Sequence, residues 1–256
     1  MLFDGLDLKQ VRASLTALKL DGWLLFDFRG INPIPTRLLG PIGFSSRRLF
    51  VLIPREGEPV ALVHKIELGP FEGGQFPGRV IPFARWEELH AGLASLVQGK
   101  TVAMEISPDD AVPYLDRVPY GVVELVRRLG GKVTGSGQLV TTFASAWSVA
   151  ELEDHLYAAE ALATIANEAL RFAVTQGDSG LTESALQQRV IAAIHAQGLE
   201  FDHPPIVGFG PNAANPHYEP VPGRDRRLGH DEVVLLDLWG GRRLGMLWAR
   251  RLDAEQ

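Results

Sequence analysis

The sequence contains no cysteine. That absence excludes disulfides, thiolate metal sites and a cysteine nucleophile together, so any metal centre must be built from histidine and carboxylate side chains. A basic excess is missing as well. Lys and Arg number 25 against 31 Asp and Glu, a formal charge of −6, which offers no counterion for a nucleic-acid backbone. No apolar run is long enough to span a bilayer, and stretches such as Trp23 to Phe26 and Leu49 to Ile53 are only strand-sized. The first residues carry Asp4 and Asp7 where a secretory signal carries Lys or Arg. These absences predict a soluble, cytoplasmic protein with neither nucleic acid nor membrane as partner. Internal repeats and low-complexity segments are also lacking. What remains, 46% apolar and 22% charged residues over 256 positions, is ordinary globular composition, sufficient for one large domain or two small ones.

The first half alternates helical and strand-like periods. Leu8, Val11, Leu15 and Leu18 fall at helical spacing and lead through Asp21-Gly22 into the apolar run Trp23 to Phe26. Arg48 to Ile53 and Pro59 to Val63, joined by a turn-rich connection, predict a hairpin. Helices near 86–97 and 119–129 and strands at 101–106 and 132–134 follow. The pattern predicts an α/β fold, a mixed or parallel sheet covered by helices. Gly130, Gly131, Gly135 and Gly137 then loosen the chain before a new unit. Ser148-Val149-Ala150-Glu151 fits a capping box. Beyond it, apolar or small residues at 149, 152, 156, 159, 163, 166, 170 and 173 predict a long helix with that face buried. Gly177 and Gly180 close it, and Thr182 caps a second helix carrying Leu186, Val190 and Ile194, with Gly198 as its stop. A short strand enters the turn at Gly208-Phe209-Gly210, a loop runs from Asn212 to Pro222, and a strand from Glu232 to Leu238 carries Asp237.

Two residues stand out chemically. Asp237 interrupts an apolar strand, where a carboxylate is costly unless it is paired, binds a metal or reaches water at an edge. His217 lies between Pro216 and Pro220; restricted backbone on both sides can present an imidazole into a cleft for proton transfer, although a loop histidine also serves simply as surface. His203 and His230 read as structure or solvent, as do Asp154-His155, Asp109-Asp110 and the exposed helix start Glu87-Glu88. The phosphate loop, the serine nucleophile elbow and the His-Glu-x-x-His zinc helix are all absent from the sequence.

The order of motifs in the second half is more telling than any one of them. The capped helix, the Thr182-Glu183 helix, Val207-Gly208-Phe209-Gly210-Pro211-Asn212-Ala213-Ala214, Pro216-His217-Tyr218 and Leu235-Leu236-Asp237-Leu238 succeed one another. Together they resemble the start of the pita-bread catalytic domain of Xaa-Pro aminopeptidases, prolidases and creatinase. Residues 1–140 look like the creatinase-type N-terminal domain that precedes it, and 141–256 like part of the pita-bread α+β domain. The resemblance covers about residues 7–240. It implies that His217 lies beside a two-metal centre and assists the tetrahedral intermediate, and that Asp237 is the first metal ligand. It also implies two divalent ions (Mn, Co or Zn) activating a water against the bond preceding proline.

The likeness stops after Gly241. From about residue 242 the chain turns Arg-rich, and the place of the family's second Asp ligand, just after Trp248-Ala249, is taken by Arg250. Asp253 has no strand pattern around it, and the family's later His and two Glu ligands find no counterpart. One matched carboxylate cannot hold two cations against water. The sequence therefore predicts a C-terminally truncated, catalytically inactive relative, arising by a shifted frame or an early stop, with no metal cofactor of its own. Two alternatives stand beside it: an active metal-dependent Xaa-Pro aminopeptidase or dipeptidase, and a module that binds small molecules or partners through a cleft near His217. Half a pita-bread fold leaves apolar surface open, which predicts a homodimer covering it or a return of Met246, Leu247 and Trp248 onto it.

Overall fold

Both faces of the strand Gly22–Phe28 (β1) are covered, which is why its residues read as an unbroken apolar run rather than an alternation. Trp23 and Leu25 point into one core layer, Leu24 and Phe26 into another on the opposite side. The computed structural model that shows this describes residues 2–43, 45–176 and 179–242. The chain falls into two units, Met1–Ala146 and Trp147–Gln256.

In the first unit the elements run α1 (Leu8–Ala17), β1, α2 (Pro33–Leu39), β2 (Arg48–Pro54), β3 (Val60–His64), β4 (Arg79–Phe83), α3 (Trp86–Val97), β5 (Thr101–Met104), α4 (Tyr120–Arg128) and β6 (Lys132–Gly135). A single turn, α5 (Gly137–Leu139), passes into a π-helical segment at Val140–Ala144. The six strands lie in the order β4-β3-β2-β1-β5-β6. The β1–β2 and β2–β3 pairs are antiparallel; β3–β4, β1–β5 and β5–β6 are parallel. Residues of α1, α2 and the π-helical segment cover one face and those of α3 and α4 the other. The expected hairpin is there, with Leu52 paired to Val60 and Phe50 to Leu62.

Two elements of this unit escaped the sequence pattern, both because of proline. Pro33 and Pro35 look like loop residues, yet they occupy the first turn of α2, where missing amide donors cost nothing. Asn32 caps that helix by accepting from the Ile34 amide at 3.1 Å. Pro82 lies in β4, which is tolerated because β4 is an edge strand.

The polar centre of this unit is Glu105, fully buried just past β5. It accepts from the Trp23 indole at 2.7 Å, the Asn32 side-chain amide at 2.8 Å and the Ser136 hydroxyl at 3.2 Å. Burial pushes its carboxyl up to about 7 against the pull of those three donors. Neighbouring Asp27, also buried, accepts from the Gly30 and Asn32 amides and fixes the chain's turn out of β1.

The second unit opens with α6 (Val149–Gln176). Its capping box forms as expected: the Ser148 amide donates to Glu151 at 2.7 Å and the Glu151 amide to the Ser148 hydroxyl at 3.2 Å. The buried face, however, differs from the expectation. Val149, Leu152, Leu156 and Leu170 are 76%, 46%, 59% and 40% exposed; of the expected face Ala173 is buried, and the core is otherwise met by Ala158, Ile165 and Ala169. The helix carries two adjacent apolar stripes at steps of three and four, so periodicity fixes the helix without choosing the stripe. The smaller one packs on Leu186, Val190 and Ile194 of α7 (Glu183–Ala196), where alanines allow the helices to approach closely. Thr182 caps α7 by accepting from the Ala185 amide at 3.2 Å.

A two-stranded antiparallel ladder follows, β7 (Ile206–Phe209) with β8 (Val234–Asp237), in which Phe209 faces Val234 and Ile206 faces Asp237. β8 is shorter than the strand expected from Glu232 to Leu238, and its Val234, Leu235 and Leu236 are only half-buried. The expected return of Met246, Leu247 and Trp248 falls outside the described residues. Among the described residues no helix is long and apolar enough to cross a membrane.

Candidate functional site

The loop bearing His217 is built around a carboxylate that the sequence pattern did not single out. Glu183, the first residue of α7, is fully buried. Its Oε1 accepts from the Phe209 amide at 2.7 Å and from the Asn212 side-chain amide at 3.0 Å. Its Oε2 accepts from the Tyr218 hydroxyl at 2.7 Å and the Arg226 amide at 2.8 Å. One side chain thereby gathers the end of β7, the 3-10 turn Gly210–Ala214, the Pro-His-Tyr segment and the returning chain at Arg226. Burial, and then the bond to Glu183, push the Tyr218 phenol up to about 12, so it remains a donor. Only the local capping residue was legible at Thr182-Glu183, because Glu183's partners lie 26 to 43 residues away.

The glycines of this segment are there for space. A Cβ at Gly208 would stand 3.0 Å from the Asn212 carbonyl oxygen. Gly210 has φ +52°, and a Cβ there would meet a Glu232 carboxylate oxygen at 2.7 Å. Glu232 itself accepts from the Gly229 amide at 2.8 Å and pairs with Arg226, and these contacts hold its carboxyl below the usual range. Asp225 accepts from the Ser184 and Gly223 amides. Burial pushes the Asp225 carboxyl up, but its hydrogen bonds, those of Ser184 foremost, outweigh burial and leave it below the usual range.

Into this scaffold the residues expected to carry chemistry fit unevenly. His217 is exposed, its backbone amide donating to the Asn215 side chain at 3.0 Å. Asp237 ends β8 with its side chain exposed, opposite Ile206; of the readings open for an acid in an apolar strand, this placement is the edge position in water. His203 is exposed, and so is His230, 3.9 Å from Asp231. Asp154 pairs with Arg242 at 2.9 Å, and His155 lies against the Trp147 ring at 4.4 Å between centroids. Asp109 and Asp110 are exposed with positive φ. Glu87 is exposed, whereas Glu88 does more than expected: the Ala84 and Arg85 amides bond its carboxyl and hold it down to about 2. Among the described residues no three His, Cys, Asp or Glu side chains are grouped so as to hold a metal ion. Asp237 by itself does not match the donor set that a pair of divalent cations requires.

The comparisons with known proteins agree with the motif order. Residues 157–243 match the model of metallopeptidase family M24. The match lies wholly within the second unit. No curated protein matches the sequence. Among solved structures, a dipeptidase, PepE, from Mycobacterium ulcerans is similar at a TM-score of 0.67 with 20% identity, over 92% of this chain and 60% of its own. A dipeptidase from Pyrococcus horikoshii is similar at 0.56 with 20% identity, over 92% of this chain and 61% of its own. A prolidase from Thermococcus sibiricus follows at 0.55 with 19% identity and the same coverage, 92% and 61%. At such identities the likeness shows the fold. A creatinase-like N-terminal fold followed by part of a pita-bread fold is the architecture expected from the sequence and the architecture found. The chain spans about 60% of the length of these solved relatives.

Proposed function

We propose that this 256-residue chain is a non-hydrolytic, prolidase-like protein of the cytoplasm. Its role in this reading is to bind another polypeptide, in the first place a second copy of itself. The observation that carries the reading is the setting of Asp237, a single carboxylate exposed at the end of β8, with no matching group of His, Asp or Glu beside it among the described residues. A hard divalent ion takes six or more oxygen ligands, and one monodentate carboxylate leaves nearly all of them to water. Arg250 adds to this, since it puts a cation at the sequence position where the resemblance asks for a second acid. Two ions and their bridging water, which the relatives' peptide chemistry would need, thus find too few ligands among the described residues. The M24 fold supports Xaa-Pro peptides as the ligand class if the loop at His217 binds a small molecule at all.

Two measurements test this. The purified chain is dialysed against Mn²⁺, Co²⁺ or Zn²⁺, its metal content is determined, and Xaa-Pro dipeptides and tripeptides are offered. Less than one retained ion per chain and no turnover are expected. Two retained ions with turnover that disappears in Asp237→Ala would overturn the reading. Light scattering tests the association: a concentration-dependent dimer is expected, and a monomer at every accessible concentration refutes that part.

A further inference from the structure

The self-association just proposed has a specific seam in α6. Val149, Leu156, Ala163 and Leu170 recur every seven residues, and Leu152 and Ala159 begin the same interval three residues later. A seven-residue repeat is 3.5 residues per turn, the period that keeps one stripe facing a partner helix along its whole length. The protomer's own core uses the neighbouring stripe of Ala158, Ile165 and Ala169, which leaves this one in water.

We infer that this stripe pairs antiparallel with the same stripe of a second copy. Its bulky residues sit at the two ends and its alanines in the middle. A two-fold axis beside the centre of the helix sets Leu152 opposite the partner's Leu170, Ala159 opposite the partner's Ala163, and Leu156 opposite the small partner's Ala166. Charge favours the same direction. Glu153 and Arg171 flank the stripe at opposite ends of α6, and neither makes an ion pair among the described residues. Antiparallel pairing brings each beside the other's counterpart; parallel pairing leaves both unmatched. One charge works against it, because Glu160 lies near the axis and meets its own copy. The area sets the strength. A helix of 28 residues is about 42 Å long and roughly 10–12 Å wide. A strip of that size buries about 400–500 Å² per copy, below the standard interface and within the weak, transient class, of the kind that gives micromolar rather than nanomolar pairs. The pairing rests on the proposed self-association, and the test separates the two.

Because the chain has no cysteine, introduced thiols report position unambiguously. The double variant L152C/L170C is expected to form a covalent dimer on mild oxidation, while L152C alone and L170C alone form only background amounts. Ready cross-linking of L152C alone would show a parallel pair and overturn the inference. The variant L156E/A163E changes residues exposed in the protomer, so its helical circular dichroism is expected to persist while the dimer weakens at least about tenfold. E160Q is expected to tighten it. An undiminished dimer in L156E/A163E would refute the seam while leaving self-association standing; a monomeric parent chain would refute both.

Discussion

Each unit encloses one glutamate completely, and the two are held by different kinds of donor. Glu105 is fed chiefly by distant side chains, an indole, an amide and a hydroxyl, with its own backbone amide adding the smallest pull. Glu183 is fed by two backbone amides as well as by Asn212 and Tyr218. The difference shows what each buried acid does. Glu105 joins β1, the cap of α2 and the residue after β6, and so specifies how core elements of one sheet meet. Glu183 seizes the main chain at two separate points, Phe209 and Arg226, and so gives an irregular loop a single shape. Side-chain donors can be removed singly and can turn away, whereas backbone amides can do neither.

The largest expected effect follows from that contrast. In Glu183→Ala the Phe209 and Arg226 amides lose their acceptor inside the protein, together with Asn212 and Tyr218. Leaving these four donors without their acceptor costs about 3–5 kcal/mol, and the second unit should lose that much in urea denaturation. Hydrogen exchange should quicken at Phe209 and Arg226 while the first unit stays protected. A loss below about 1 kcal/mol would mean that the loop shape does not depend on Glu183.

Glu105 predicts a different signature, in pH rather than in loop order. Its carboxyl moves from an ordinary 4.5 in the unfolded chain to about 7 in the fold. Below pH 4.5 both states hold the proton and the stabilisation is fully present. Between there and pH 7 the folded state binds more protons than the unfolded one, so stability falls as pH rises, by about 3 kcal/mol in all. Urea denaturation of the first unit between pH 5 and pH 8 should show this slope, and Glu105→Gln should flatten it. A first unit equally stable at both pH values would place the carboxyl in a far more polar setting.

How much of this was legible beforehand follows the reach of each interaction. Elements defined by their own periodicity, such as β1, the β2–β3 hairpin and the Ser148 cap, could be read because the signal lies within a few residues. Whether α6 buries the Leu152–Leu156 stripe or the Ala158–Ile165 stripe could not, since both repeat equally well and the choice belongs to α7. The prolines of α2 and β4 concealed structure by resembling loop. Neither buried glutamate announced itself: Glu105 meets Trp23 and Asn32 across 82 and 73 residues. The Gly-Pro-Asn-Ala-Ala and Pro-His-Tyr motifs pointed to the pita-bread fold without revealing that Tyr218, beside His217, is the residue tied into the scaffold.

Tyr218→Phe sharpens the comparison at a smaller scale. It removes one of the four donors to Glu183 without opening a cavity, and Glu183 keeps both backbone amides. A loss of about 1–2 kcal/mol in the second unit is expected, the ordinary worth of one partly buried hydrogen bond. If the loss equals that of Glu183→Ala, Tyr218 rather than the backbone pair holds the loop.

The smallest effect is expected at Asp237, the exposed acid that the family likeness would make a ligand. Side chains in water change stability by less than about 0.5 kcal/mol when truncated, and Asp237→Ala should fall within that range. A ligand cluster would behave otherwise. Carboxylates held together for a cation repel one another when no cation is present, so removing one would stabilise the fold. A ligand bound only by the native state also raises the unfolding midpoint in proportion to its affinity. Stabilisation by Asp237→Ala, joined to a Mn²⁺-dependent rise in midpoint that the variant abolishes, would therefore place Asp237 among ligands and make it a third organising acid. Indifference to both would leave the buried pair, Glu105 and Glu183, as the two carboxylates on which this chain depends.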